Sequence, residues 1–267
     1  MHYPLSTPLG RMGVETQIEG PDRCVASIPA GGLLNPFTGA PTLAPVAMLI
    51  DHVGGLVNHH RRGPDEWTVS SELAVEFAPN AVELVSVAPQ LPVVATGRPF
   101  GPTGAAPLAL CELTHAGQLL ATATVRSFHI TAPGHLIEWP TDSADAALPA
   151  TLTERMAVQV AESGGTTKVL RQLSDPVINN SLGIVHGGMS AAALELVASA
   201  AVNEGQEASP MRTGSLRINF LRQFRGGDES RYEGKAVRVG RSTAVADASA
   251  VGDDGKVALL ARLTAYR

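Results

Sequence analysis

Residues 180–195 read NSLGIVHGGMSAAALE, in which a loop ends in His-Gly-Gly and continues into an alanine-rich apolar segment. This pattern predicts a helix that begins at the glycines, and the first N–H groups of a helix have no intrahelical partner. Two glycines at that end let an oxygen atom approach the backbone, because no Cβ is in the way. The helix dipole adds positive potential there. The stretch is therefore suited to binding a carbonyl oxygen or an oxyanion, with the carboxylate of Glu195 two helical turns further along.

The chain contains two diverged copies of one unit. A strand pattern at residues 68–77 aligns with residues 211–220, and this alignment places Ser70 on Thr213. Nearly the same offset relates two hairpin patterns with glycine at the turn, residues 108–125 and 246–265. Repetition at a fixed offset indicates that one supersecondary unit is present twice.

A long apolar segment with one acid inside it occurs in each copy. Residues 43–60 contain Asp51 and residues 187–203 contain Glu195, and the two acids coincide to within one position when the copies are overlaid. A helix without a polar face must be buried on most sides. We expect each copy to wrap an antiparallel sheet around one long central helix.

The copies are predicted to span residues 1–135 and 150–267. The linker, residues 133–150, is rich in Pro, Ala, Ser and Asp. Each copy alone would leave a sheet edge unpaired, and pairing the copies edge to edge protects that edge. The predicted fold class is α+β, with the two units joined in one continuous sheet.

Composition excludes several classes of protein. The formal net charge is −5 and no Lys/Arg-rich run occurs, so nucleic acid is not an expected partner. No apolar run reaches the roughly 18 residues of a membrane span, and the first residues lack a signal-peptide pattern. We therefore expect a cytoplasmic protein. Cys24 and Cys111 lie far apart in apolar runs, which favours buried thiols over a zinc site.

The motif resembles that of the hotdog-fold thioesterases, specifically the group related to the phenylacetate-pathway thioesterase. The family pattern is Asn, then Gly three positions on, then His-Gly-Gly, then an acid nine positions after the histidine. The matching residues are Asn180, Gly183, His186, Gly187, Gly188 and Glu195. A later strand that begins with Ser or Thr corresponds to residues 213–222. The resemblance is sharp over residues 165–267, and over the first half it rests on the repeat, so it implies a double hotdog.

The resemblance implies an acyl-CoA thioesterase. Glu195 would act as nucleophile or general base, and its apolar neighbours argue against a merely solvated acid. A backbone N–H of Gly187 or Gly188 would polarise the thioester carbonyl. Coenzyme A is part of this substrate, so no separate cofactor is expected.

Three further residues have both a functional and a structural reading. His186 could orient the carbonyl or hold the loop. Asn180 could hold substrate, although Asn before Ser is also ordinary turn chemistry. Thr213 occupies the place of a family hydroxyl that positions water or the acid, and it is also a typical strand residue.

The first copy departs from the family pattern. Leu43 and Ala44 stand where the glycines would be, and Pro45 removes an N–H. Asp51 and Ser70 are therefore candidates for a second, degenerate site. His52 beside Asp51 does not indicate a metal site, because adjacent helical residues point about 100° apart.

The substrate is expected to lie between the copies. The acyl chain would contact apolar walls from both, and residues 51–58 of the first copy would line the site that holds Glu195. Arg222, Arg225 and Arg241 are candidates for binding the phosphates of coenzyme A, since Arg matches phosphate geometry.

Two other functions are compatible with the same fold, because fold does not fix function. One is a non-catalytic protein that binds or senses acyl-CoA. The other is a hotdog hydratase or dehydratase, which resembles the pattern less because that chemistry uses Asp and His five positions apart. The expected partner is a small-molecule acyl-CoA of fatty acid metabolism, with homo-oligomers of the double subunit possible.

Overall fold

The computed structural model describes residues 1–139, 147–161 and 167–267. The elements of the first copy are α1 (Pro8–Met12), β1 (Glu15–Ile18), β2 (Cys24–Ile28), α2 (Val46–His59), β3 (Glu66–Phe77), α3 (Ala81–Val87), β4 (Val93–Phe100), β5 (Leu108–His115) and β6 (Gln118–Thr131). The elements of the second copy are α4 (Leu152–Met156), β7 (Val158–Ala161), β8 (Thr167–Gln172), a 3-10 turn (Pro176–Ile178), α5 (Gly187–Val202), β9 (Arg212–Phe220), β10 (Arg231–Val239), β11 (Thr243–Val251) and β12 (Val257–Tyr266).

One antiparallel sheet runs through both copies. Within the described residues its order is β1-β2-β4-β5-β6-β3-β9-β12-β11-β10-β8-β7. The copies meet where β3 pairs with β9, with Leu73 opposite Ile218 and Val75 opposite Leu216. The order of the inner strands is mirrored about this junction, as expected for two copies related by a pseudo-twofold axis. The predicted α+β fold with one continuous sheet is confirmed.

Two buried helices lie inside this sheet. α5 begins at Gly187, as the glycine pattern predicts, and nearly all its side chains are buried. α2 begins at Val46, after the proline at position 45, and is buried over most of its length. Both helices can be buried over most of their length because each contacts the other helix as well as its own strands.

Glycines at matching places allow the close approach of helix and sheet. A Cβ added to Gly97 on β4 would lie 2.5 Å from the Val53 Cγ1 atom of α2. A Cβ added to Gly234 on β10 would lie 2.3 Å from the Val197 carbonyl oxygen of α5. The two helices are therefore fixed against their strands in corresponding ways, and this positions whatever projects between them.

The first part of the linker folds back onto the second copy. The Ile137 N–H donates to the Ser181 carbonyl at 2.9 Å, and the Trp139 indole N–H donates to the Asn179 carbonyl at 3.0 Å. Residues 140–146 of the predicted linker lie outside the described residues. β6 ends at Thr131 and α4 begins at Leu152, and the exact limits of the two copies stay a prediction.

The remaining composition-based expectations concern cysteines and membranes. Cys24 on β2 and Cys111 on β5 are buried and unpaired, and burial raises the pKa of both thiols. Within the described part of the chain, every helix is too short or too polar to cross a membrane.

Candidate active site

A cavity of about 590 Å³ opens between the two copies. Its first wall comes from α2 and β3 of the first copy, and its second wall comes from residues 180–190 and 220–224 of the second. Its large apolar lining residues include Leu56, Trp67, Trp139, Leu182, Phe220 and Phe224. The polar groups that line it include those of Asp51, Ser70, Asn180, His186 and Gly187, and these five residues are called the composite site below.

Asp51 is the acid of the composite site. It lies on α2, only 7% exposed, and its Oδ1 accepts a hydrogen bond from the Ser70 hydroxyl on β3 at 2.7 Å. Its other oxygen, Oδ2, lies 3.5 Å from Nδ1 of His186 in the second copy. One carboxylate oxygen is therefore fixed by the first copy while the other faces the loop of the second.

His186 caps the start of α5. Its Nδ1 accepts a hydrogen bond from the Gly188 N–H at 3.1 Å, and burial lowers the pKa of the imidazole although Asp51 opposes that shift. A nitrogen that accepts an N–H carries no proton, so the contact with Asp51 is not an ion pair. The neutral ring then carries its proton on Nε2.

The two glycines of the motif have different surroundings. A Cβ on Gly187 would lie 2.9 Å from Asp51 Oδ2 and 3.1 Å from the ring of Phe220. A Cβ on Gly188 would lie 2.6 Å from the Met48 Cα, so Gly188 lets the start of α5 contact the backbone of α2. The Gly188 N–H is occupied by His186, whereas the described residues provide no hydrogen-bond acceptor for the Gly187 N–H. Gly187 is thus the glycine that offers its amide beside the carboxylate.

Asn180 shapes the loop that precedes His186. Its side-chain oxygen accepts from the N–H groups of Leu182 at 3.0 Å and Ile184 at 3.4 Å. Gly183 between them has a φ of +70°, which glycine adopts without strain. The observed contacts are those of the turn-forming reading, and the residue also lines the cavity.

Glu195 lies away from the glycines, contrary to the expectation that they form one site. Glu195 and Gly187 are eight residues apart on the same helix, which separates them by about 12 Å along its axis. Glu195 does not line the cavity. Its Oε1 accepts from the Thr213 hydroxyl at 2.6 Å, and its Oε2 lies 3.3 Å from the Thr42 hydroxyl of the first copy. The reason is packing: the start of α5 lies beside Met48 and Asp51 in the first half of α2, and Thr42, in the segment before α2, lies beside Glu195 in the middle of α5. Each acid therefore faces the loop of the opposite copy. Contrary to the expectation, residues 51–58 do not line the surroundings of Glu195.

The surroundings of Glu195 are closed. The Asn35 amide donates to the Leu196 carbonyl at 3.0 Å and to the Ser199 hydroxyl at 3.1 Å. Leu43 and Ala44, which replace the glycines, are buried. Glu195 is 4% exposed, and burial raises the pKa of its carboxyl. Glu195 thus faces the first-copy loop, which lacks the glycines, whereas Asp51 faces the loop with the intact His-Gly-Gly motif.

The three candidate arginines lie in different places. Arg222 lines the cavity and pairs with Asp254 at 3.0 Å. Arg225 donates to the Gly183 carbonyl at 2.9 Å, which supports the loop. Arg241 lies in the turn between β10 and β11 and does not line the cavity.

Several cavity residues were missed by sequence reasoning. His52 contacts the Thr16 hydroxyl at 2.8 Å and the Tyr3 hydroxyl at 3.4 Å, and burial lowers the pKa of His52 to about 3. Its partners differ from that of its neighbour Asp51, which binds Ser70, as the 100° helical step predicts. Trp139 could have been suspected, because a tryptophan is unusual in a linker of Pro, Ala, Ser and Asp. Tyr3 gave no signal in the sequence.

Comparison with known proteins agrees with this fold. Residues 182–259 match the model of the Thioesterase superfamily. A TesB protein of Mycobacterium avium subspecies paratuberculosis superposes with a TM-score of 0.63 at 12% identity, covering 99% of each chain. An acyl-CoA thioesterase II, TesB2, of Mycobacterium marinum superposes with a TM-score of 0.59 at 15% identity, covering 97% of each chain.

A third structure is similar over most of its length. It is a protein of unknown function with a hot dog fold from Alicyclobacillus acidocaldarius. It superposes with a TM-score of 0.60 at 15% identity, and the match covers 94% of this chain and 95% of that chain. No curated protein sequence matches the chain at a significant level. At these identities the structural likeness establishes the fold, which is a double hotdog.

Proposed function

We propose that the chain, a double hotdog whose residues 182–259 match the model of the Thioesterase superfamily, hydrolyses acyl-CoA thioesters at the composite site. The observation that supports this most is the position of the Asp51 carboxylate beside Gly187 at the start of α5. An acid and an oxyanion donor then face one cavity from opposite copies.

The Gly187 amide binds the carbonyl oxygen of the thioester. It is the first residue of α5, where the N–H groups have no intrahelical acceptor and the dipole is positive. Negative charge develops on this oxygen as the carbonyl carbon becomes tetrahedral. A donor fixed at that place stabilises the transition state more than the substrate, and one such donor contributes about 10²–10³ in kcat.

Asp51 supplies the base or the nucleophile. Its Oδ1 is held by Ser70, which leaves Oδ2 to take a proton from the attacking water or to attack the carbonyl carbon itself. In either route water adds to the acyl carbon overall, the carbon–sulfur bond breaks, and the free acid and coenzyme A are released.

His186 contributes orientation and a second donor. Its Nδ1 is occupied by the Gly188 N–H, so its Nε2–H is the group that can donate to the oxyanion. The departing thiol needs little help from an acid, because thiols have a pKa near 8.5 and leave readily as thiolates.

The decisive experiment compares the two acids. Asp51→Asn keeps an acceptor for Ser70 but removes the carboxylate, and we expect kcat with a panel of acyl-CoA substrates to fall by roughly 10²–10⁴. Glu195→Gln, the matched change in the closed counterpart, should alter kcat by less than about threefold. Release of free thiol gives the rate, and circular dichroism confirms that both variants are folded.

Other outcomes of this experiment have definite meanings. If Glu195→Gln loses activity and Asp51→Asn keeps it, the proposal names the wrong acid, and the chemistry belongs to Glu195. Binding of acyl-CoA by the wild-type protein without any thiol release would instead support the non-catalytic binding function.

A further inference from the structure

The cavity continues along α2 beyond Asp51. Asp51, Gly55 and His59 follow one another at intervals of one helical turn, and all three line the cavity. Four helical residues correspond to about 6 Å along the axis. Gly55 therefore forms part of the cavity wall about 6 Å from the carboxylate at which the thioester would react.

Gly55 is not required by packing. Glycine inside a helix is unfavourable compared with alanine, because its backbone loses more freedom on folding. A Cβ added to Gly55 would meet no heavy atom within 4 Å. At the neighbouring Gly54, by contrast, a Cβ would lie 2.6 Å from the Val125 side chain. Packing against Val125 explains why position 54 is a glycine. At position 55 the absence of a side chain leaves open space in the cavity.

The surroundings of Gly55 are suited to an acyl chain. Leu56, Trp67 and Ile130 line the cavity. The Trp67 ring lies 5.0 Å from that of His59, two helical turns beyond Asp51, and Ile130 lies opposite Trp67 on the paired strand. The arginine that lines the cavity, Arg222, comes from the second copy at the end of β9. The apolar residues around Gly55 thus belong to the first copy, whereas this arginine belongs to the second.

We propose that Gly55 determines the acyl-chain length that the site accepts, because its missing side chain leaves room for the acyl group beyond the first carbons. This rests on the proposed function, in which Asp51 marks the position of the thioester. The substrates favoured by this geometry are acyl-CoA thioesters whose acyl chain is long enough to reach Gly55, about 6 Å beyond Asp51.

The test is a graded series at position 55. We measure kcat/KM for acetyl-, hexanoyl- and decanoyl-CoA with the wild-type protein, Gly55→Ala and Gly55→Leu. The decanoyl-to-acetyl ratio should fall with side-chain size, by about tenfold or more in Gly55→Leu, since a pocket that is too small by a few methylenes discriminates by 10–200-fold. Gly55→Ala should at the same time raise the melting temperature by roughly 2–4 °C.

Gly54→Ala is the matched control. It adds the same methyl group on the same helix, but it contacts Val125 instead of the cavity. It should lower the melting temperature and leave the ratio unchanged. An equal fall for all three substrates in Gly55→Leu, or an unchanged ratio, would overturn the proposal.

A binding measurement separates this proposal from the proposed function. S-decyl-CoA is a thioether that cannot be hydrolysed, and its Kd should rise at least tenfold in Gly55→Leu relative to that of S-ethyl-CoA. If the wild-type protein hydrolyses no acyl-CoA but this length-dependent shift is found, the catalytic proposal fails and the role of Gly55 stands. Without the shift, the role of Gly55 fails whatever the hydrolysis assay gives.

Discussion

The Asp51 carboxylate oxygen Oδ2 lies 3.5 Å from the Nδ1 atom of His186, although the two residues belong to different copies of the repeat. The helix that carries Asp51 and the helix that His186 caps are held together by the close approach of Gly188 to Met48. The composite site therefore exists only when the two copies are docked, and its parts can be tested in matched pairs.

The first pair is the hydroxyl that holds each acid. Ser70 donates to Asp51 at 2.7 Å and Thr213 donates to Glu195 at 2.6 Å. Ser70→Ala should lower kcat by roughly 10-fold to 100-fold, because a hydrogen bond to a charged group contributes about 1.5–3 kcal/mol. Thr213→Ala should leave kcat within about threefold. Steady-state kinetics distinguish the two, and equal losses would show that both acids take part.

The second pair is the two glycines of the motif. Gly187→Ala would push a methyl group against Asp51 Oδ2, so we expect a large loss of kcat with little change in melting temperature. Gly188→Ala would collide with the Met48 backbone, so it should destabilise the fold by about 1–3 kcal/mol. Thermal unfolding together with thiol-release rates gives both quantities. Retention of full activity by Gly187→Ala would contradict the placement of the reacting carbonyl between Gly187 and Asp51 Oδ2.

Burial of Glu195 predicts a pH-dependent stability. Its pKa is raised above the ordinary value of 4.5 in the folded protein, so the folded state binds the proton more tightly than the unfolded chain. The free energy of unfolding should then decrease as the pH rises from about 4.5 through the raised pKa. Glu195→Gln should remove this decrease. The free energy of unfolding of the variant, relative to that of the wild type, should therefore be higher at pH 8 than at pH 4.5. Urea midpoints at both pH values measure the difference, and parallel curves would contradict the prediction.

From the burial of His52 we expect the opposite trend at acidic pH, namely a free energy of unfolding that increases as the pH rises. Burial lowers its pKa from 6.5 to about 3, so the unfolded chain binds a proton at a higher pH than the folded protein does. The stabilisation from keeping His52 neutral is complete above pH 6.5 and is lost as the pH falls towards 3. His52→Gln can still accept a hydrogen bond from Thr16 but does not titrate. The stability gap between wild type and variant should therefore narrow between pH 7 and pH 4, and a constant gap would contradict the assignment.

Much of the fold could be predicted because its signals are local. The apolar helices, the hairpins with glycine turns and the repeated Ser70/Thr213 strand are visible in short windows of sequence. The joining of β3 to β9 follows from the need to pair an exposed edge. These features depend on periodicity and turn chemistry, which the sequence carries directly.

The pairing of acid and glycine could not be predicted in the same way. The sequence places Glu195 on the same helix as Gly187, and family spacing favours reading them as one site. Which acid faces which helix start is decided by how α2 packs on α5, and the packing contact of Gly188 with Met48 joins distant parts of the chain. The sequence makes Asp51 a second-site candidate, and the structure brings it to the intact loop.

The covalent link between the copies changes what a single substitution can do. In a symmetric homodimer every change appears twice, so a residue that closes one site closes both. Here Leu43 and Thr42 can close the surroundings of Glu195 while His186 and Gly187 stay open to the cavity. The fused chain can therefore lose one site by mutation while the other stays under independent selection. At the lost site, the contact of Thr42 with Glu195 then joins the two halves of the chain.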